Sequence, residues 1–181
     1  MDKAVLGLAV LLAVWAGWLD WRSRRIPNWL TVPALLLGVV LNTIVWRLPG
    51  TRAGLQGAGL ALALLLPFVV LRGLGAGDWK LMGALGAFLG PHKLLVVLLG
   101  TILIAGLMAV VEMVRRRRVK QTLANLAVLI HAFVTFRLTP QRGTINLDNP
   151  DLMTLPFGVA AAAATIICVL AFFAQSAFRI S

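Results

Sequence analysis

Five apolar runs, at roughly 4–19, 29–46, 54–71, 92–114 and 152–175, leave this 181-residue chain few options. Each is near the length a helix needs to cross the roughly 30 Å hydrocarbon layer of a bilayer. A sixth, shorter piece runs over 79–90. With 60% of residues hydrophobic and 13% charged, a soluble domain would have too little polar surface to cover itself. The expectation is an all-α, polytopic membrane helix bundle of about six transmembrane helices, forming a single membrane-embedded domain over 1–181.

The net charge of +11 invites a nucleic-acid reading, but the charges sit in short clusters between the apolar runs rather than on one face. They read as topology signals, and no nucleic-acid partner is expected. With the N-terminus outside, alternating helices and 115–151 kept inside, twelve basic residues fall inside: Arg22, Arg24, Arg25, Arg72, Lys80, Arg115, Arg116, Arg117, Arg118, Lys120, Arg137 and Arg142. Five, namely Lys3, Arg47, Arg52, Lys93 and Arg179, fall outside. The stretch 121–136 carries Leu123, Leu126, Ile130 and Phe133 on one face and reads as an interfacial helix; if it spans instead, Arg137 and Arg142 move outside, Arg179 moves inside, and the count becomes eleven against six. The first run is a retained helix, because Arg22, Arg24 and Arg25 follow it and no small-x-small cleavage pattern closes it. Cys168 stands alone, so neither an intramolecular disulfide nor a Cys-x-x-Cys metal knuckle is available.

Six acidic residues remain to carry chemistry, and four have ordinary explanations. Asp2 is terminal, Glu112 precedes four arginines, and Asp148 and Asp151 sit in a polar stretch with Asn146, Asn149 and Pro150. Asp20 and Asp78 each abut an apolar run, and the charge argument puts both on the inner side. Asp20 closes the first run, before a turn at Ile26, Pro27 and Asn28; proline there starts a helix without wasting a donor. Asp78 follows the glycine-rich Gly75-Ala76-Gly77 at the head of the short piece. Twelve residues give about 18 Å of helix, too short to cross unaided. If its far end reaches the outer surface near Pro91, Asp78 lies recessed below the inner headgroups, where an ionisable residue is a functional candidate. Two carboxyls facing one water can hydrolyse a peptide, one taking the water's proton while the other donates to the carbonyl. Serine and histidine offer no convincing competing set, and no cofactor or metal is expected.

These residues resemble the prepilin peptidases among the GxGD aspartic proteases. An aspartate followed six residues later by Ile-Pro-Asn is present as Asp20 and Ile26, Pro27, Asn28. GxGDxKL is present as Gly75, Gly77, Asp78, Lys80 and Leu81. Pro156, Phe157 and Gly158 resemble the Pro-Phe-Gly that opens the family's last helix. The resemblance implies a catalytic pair, Asp20 and Asp78, in a multi-pass protein of the prokaryotic cytoplasmic membrane with its active site facing the cytosol. It implies a type IV prepilin substrate, with a short basic leader and a hydrophobic helix. The size is similar to that of the peptidases of tight-adherence (Flp-type) pilus systems. The larger members carry an N-terminal cysteine-motif region and also methylate the product; nothing like it is in this sequence, so methylation is not expected. Two other readings stay open: a non-enzymatic transporter or assembly scaffold whose aspartates bind a cation or proton, and a GxGD protease of another branch.

Overall fold

The computed structural model describes residues 3–70, 73–115 and 156–178. They form four helices: α1 (Lys3–Ser23), α2 (Asn28–Val70), α3 (Ala76–Arg115) and α4 (Phe157–Phe178). All four are long and apolar enough to cross a membrane, as expected of an all-α bundle. The count of continuous helices differs from the expected six, and the reason is local. At 1.5 Å per residue the 43 residues of α2 would reach about 65 Å if straight, roughly twice the hydrocarbon layer. Instead α2 breaks at Arg47 (φ 52°, ψ −137°) and α3 at Gly90 (φ 72°, ψ 173°), each next to a proline-containing stretch. Four helices thus make six segments, and the short sixth run of sequence is the first arm of α3.

The break in α2 is a reversal. Thr43 and Thr51 hydroxyls are 2.9 Å apart, whereas eight residues of straight helix would separate their backbones by about 12 Å. A Cβ on Gly54 would lie 3.5 Å from Val39 Cα, so the two arms run side by side in opposite directions. Between them lies the first arm of α3, residues 76–90, with every residue from Leu81 to Gly90 buried. Gly57 and Gly86 make a tight crossing between α2 and α3: a side chain on either would collide with the other's carbonyl. Small residues let backbones approach in this way where lipid supplies no hydrophobic drive. Gly86 therefore serves helix packing, whereas Gly90 serves the break in α3.

α1 lies antiparallel along α4, since Gly17 meets Ala162 while Asp20, one turn on, meets Gly158. The second arm of α3 also packs on α4, through Gly100 against Ala164 and Lys93 over the Phe172 ring at 5.4 Å. α1 barely touches α2, and between them opens an apolar groove of about 930 Å³. Leu8, Leu11, Trp15 and Trp18 of α1 face Trp29, Pro33 and Leu37 of α2 across it, and Phe88 lies at its floor.

Contacts group Met1–Ala105 with Pro156–Ser181 as one unit. Of the other, Gly106–Leu155, the described part is 106–115, the last turns of α3. The expected interfacial helix at 121–136 lies outside the described residues.

Candidate active site

Asp20 is not the closing residue of α1, as the end of the apolar run suggested, but sits one turn inside it, because the helix continues to Ser23. The Ser23 hydroxyl donates to the Leu19 carbonyl (2.7 Å) and the Arg25 carbonyl (3.1 Å), which finishes the last turn. Arg24 then takes a left-handed conformation (φ 53°). Pro27 presents its carbonyl to the amides of Leu30 and Thr31, starting α2 at Asn28, three residues after Arg25. The Ile-Pro-Asn turn is thus a short hinge between α1 and α2.

Asp20 is buried at 6% exposure. Its Oδ2 accepts the Gly158 amide at 2.8 Å. That amide belongs to the first turn of α4, where N–H groups have no partner within their own helix. Pro156 supplies the carbonyl that begins α4, accepting from Val159 and Ala160. Asp20 therefore caps α4 from another helix. Gly158 must be small: a Cβ there would stand 2.9 Å from Asp20 Cβ and 3.1 Å from its Oδ2.

Asp78 is the third residue of α3. The Gly75 carbonyl accepts the Trp79 amide at 3.1 Å, so the chain enters the helix at Gly75. Both glycines of Gly-Ala-Gly-Asp then have steric reasons. A Cβ on Gly75 would come 2.9 Å from Asp78 Oδ2, and one on Gly77 would come 2.9 Å from the Ile26 carbonyl. The first makes room for the carboxyl, and the second lets the Ile26 hinge pack against the head of α3. Next door, Lys80 Nζ donates to Asn28 Oδ1 at 2.9 Å, so the ammonium is held by the hinge asparagine.

The two sequence motifs are therefore one structure. Gly77 lies on Ile26 and Lys80 on Asn28, which bring the heads of α3 and α2 together. Asp20 is near enough for its charge to act on Asp78. All eleven residues singled out in the sequence, Asp20, Ile26, Pro27, Asn28, Gly75, Gly77, Asp78, Lys80, Pro156, Phe157 and Gly158, fall at this one end of the bundle. Sequence reasoning missed Trp79: it is half-buried and donates its indole N–H to the Leu62 carbonyl at 2.8 Å. Its position directly after the acid was the available signal. No group of three or more His, Cys, Asp and Glu that could hold a metal is found among the described residues.

A profile of the type IV leader peptidase family matches residues 7–110, which contain both aspartates and both of their flanking motifs. The chain belongs to the type IV leader peptidase family. It is 31% identical over 106 residues to a prepilin leader peptidase/N-methyltransferase of Neisseria gonorrhoeae, covering 55% of this chain and 37% of that protein. It is also 31% identical over 113 residues to a protein of the same description from Aeromonas salmonicida (strain A449), covering 57% of this chain and 39% of the relative. These similarities thus span less than two-fifths of the curated relatives. No solved structure matches. Pro156, Phe157 and Gly158 lie beyond the stretch matched to this family, so their link to Asp20 comes from the coordinates alone.

Proposed function

We propose that this family member is an aspartic endopeptidase that removes the basic leader of type IV prepilins, of the short Flp-type class, at the cytosolic face of the inner membrane. The observation that carries the reading is the convergence of two carboxyls, from α1 and α3, at one end of the bundle, each in a motif of the family. One carboxyl, ionised, takes a proton from a water whose oxygen attacks the scissile carbonyl carbon; the other donates a proton to the carbonyl oxygen. The tetrahedral species collapses with cleavage of the C–N bond, and a proton passes to the leaving amine. The groove between α1 and α2 gives an apolar segment of the substrate a lateral approach to this end of the protein. The excess of basic residues expected on the inner side supports cleavage at the cytosolic face.

The test is co-expression with a candidate prepilin and measurement of its mass. Asp20→Asn and Asp78→Asn, singly, are expected to lower cleavage by about 10²- to 10⁴-fold, the range general acid–base groups supply, while the protein still accumulates in the membrane. Robust cleavage by either variant removes that residue from the mechanism. Cleavage is also expected to persist in EDTA; activity lost to chelator and restored by zinc would indicate a metalloprotease.

A further inference from the structure

The first arm of α3 is a short rod with Asp78 at one end and the Gly90 break at the other, and the break creates an electrostatic problem. Proline 91 has no N–H, so the donor that would close the helical ladder on the Ala87 carbonyl is missing, and the Phe88 carbonyl sits at the same break. A buried carbonyl left without a donor is costly. Water is kept from this point by close packing. A Cβ on Gly38 would lie 2.9 Å from both Ala87 Cβ and Phe88 Cδ2, and one on Gly54 would lie 3.1 Å from the Ala87 carbonyl oxygen.

A single side chain from the first arm of α2 meets the need. Asn42, 5% exposed, donates through Nδ2 to the Ala87 carbonyl at 2.8 Å and the Phe88 carbonyl at 3.1 Å, with a third contact to the Gly38 carbonyl at 3.2 Å. A lone amide in an otherwise apolar run is costly unless it is fully used, and here its donors all go to backbone. The amide thus takes the place of the missing N–H and ties the closed end of the rod to a fixed height on α2.

We infer that Asn42 is a positioning residue: by fixing the closed end of the 76–90 rod it sets the depth and rotation of Asp78 opposite Asp20. The rod is buried on all sides from Leu81 to Gly90, so a slip at its closed end passes to Asp78 as a rigid shift rather than being absorbed along the way. Asp20 is held independently, by Gly158 on α4, and would not follow. The word "positioning" rests on the function proposed above; the geometry it predicts does not.

Two readouts separate these. In chains carrying Cys168→Ala, Asp20→Cys and Asp78→Cys, the rate of bridging by a short bis-methanethiosulfonate reports the approach of positions 20 and 78 with no activity required. Asn42→Leu, similar in size but without donors, is expected to slow bridging at least fivefold, and Asn42→Gln, which keeps the amide, to stay within threefold of the parent. With the carboxyls restored, Asn42→Leu is expected to lower kcat on a prepilin at least tenfold with KM within twofold, and Asn42→Gln to recover most of the loss. Should Asn42→Leu fail to accumulate, Asn42→Ser carries the same expectations, because its hydroxyl is too short to reach both carbonyls. Unchanged bridging in the donorless variant, or Asn42→Gln as impaired as Asn42→Leu, overturns the inference. Inactivity of the unaltered protein on every prepilin would overturn the proposed function and leave the bridging result standing.

Discussion

A methyl group added at Gly158 has nowhere to go except into Asp20, 2.9 Å from its Cβ and 3.1 Å from its Oδ2. Gly158→Ala is therefore expected to push the carboxyl off the α4 amide by a fraction of an ångström to an ångström, and displacements of that order cost up to about 10²-fold in rate. Steady-state cleavage of a prepilin should fall by about 10- to 100-fold while the variant accumulates normally; unchanged turnover would mean that Asp20 can work without its α4 contact. Gly77→Ala presses on the Ile26 carbonyl at 2.9 Å and should act in the same direction through the hinge. At this scale the sequence displayed the acids but not their partners. Asp20 and Asp78 were legible because charge is rare in this chain and each follows an apolar run or a glycine turn. The bond from Asp20 to Gly158 spans 138 residues, and no local pattern encodes such a pairing. Pro156, Phe157 and Gly158 were visible only as a resemblance, and Asn42 only as one amide in an apolar run.

Among the helices, the informative positions are the two reversals. Apolar runs and charged breaks predicted six segments, and the two turns appear where Arg47 with Pro49, and Gly90 with Pro91, interrupt them. The runs could not show that the helices continue around those turns, or that the short piece is wedged between both arms of α2, because burial on all sides and exposure to lipid demand the same apolar residues. Gly90 suits its φ of 72°, but Arg47 holds φ 52° with a side chain, a conformation that costs about 1–3 kcal/mol. Glycine removes that strain and gives back about 0.5–1 kcal/mol in unfolded-state entropy. Arg47→Gly is accordingly expected to stabilise the protein by about 1 kcal/mol, read as a higher thermal unfolding midpoint in detergent. Gly57→Ala should do the opposite, because its methyl group meets the Gly86 carbonyl: overpacking of this kind costs about 1–3 kcal/mol. A midpoint unmoved by Gly57→Ala would show that the crossing can open without penalty, and with it the placement of the α3 rod.

For the molecule as a whole, basic residues decide which end faces the cytosol, and outside the last turns of α3, which end at Arg115, the described helices divide theirs evenly. Arg22, Arg24, Arg25 and Lys80 gather at the end that carries the carboxyls, while Lys3, Arg47, Arg52 and Lys93 belong to the opposite end by the alternation of the segments. Four against four gives no orientation. The expected bias of twelve to five comes from Arg72 and the seven basic residues between 115 and 142, above all the run Arg115, Arg116, Arg117 and Arg118. Retention of basic loops near helix ends sets topology, so that run should act as the anchor for the whole bundle. In a Cys168→Ala chain carrying Arg22→Cys, a membrane-impermeant maleimide should label position 22 only after the inner face is made accessible. Replacing Arg115 to Arg118 with glutamine lowers the bias to eight against five and should produce a mixed population, with part of the chains labelled from outside and a matching loss of cleavage. Labelling of the parent from outside would invert the arrangement and place the carboxyl pair on the far side from any cytosolic leader, whereas a glutamine variant that stays uniformly oriented would move the anchor to the cluster formed by Arg22, Arg24 and Arg25.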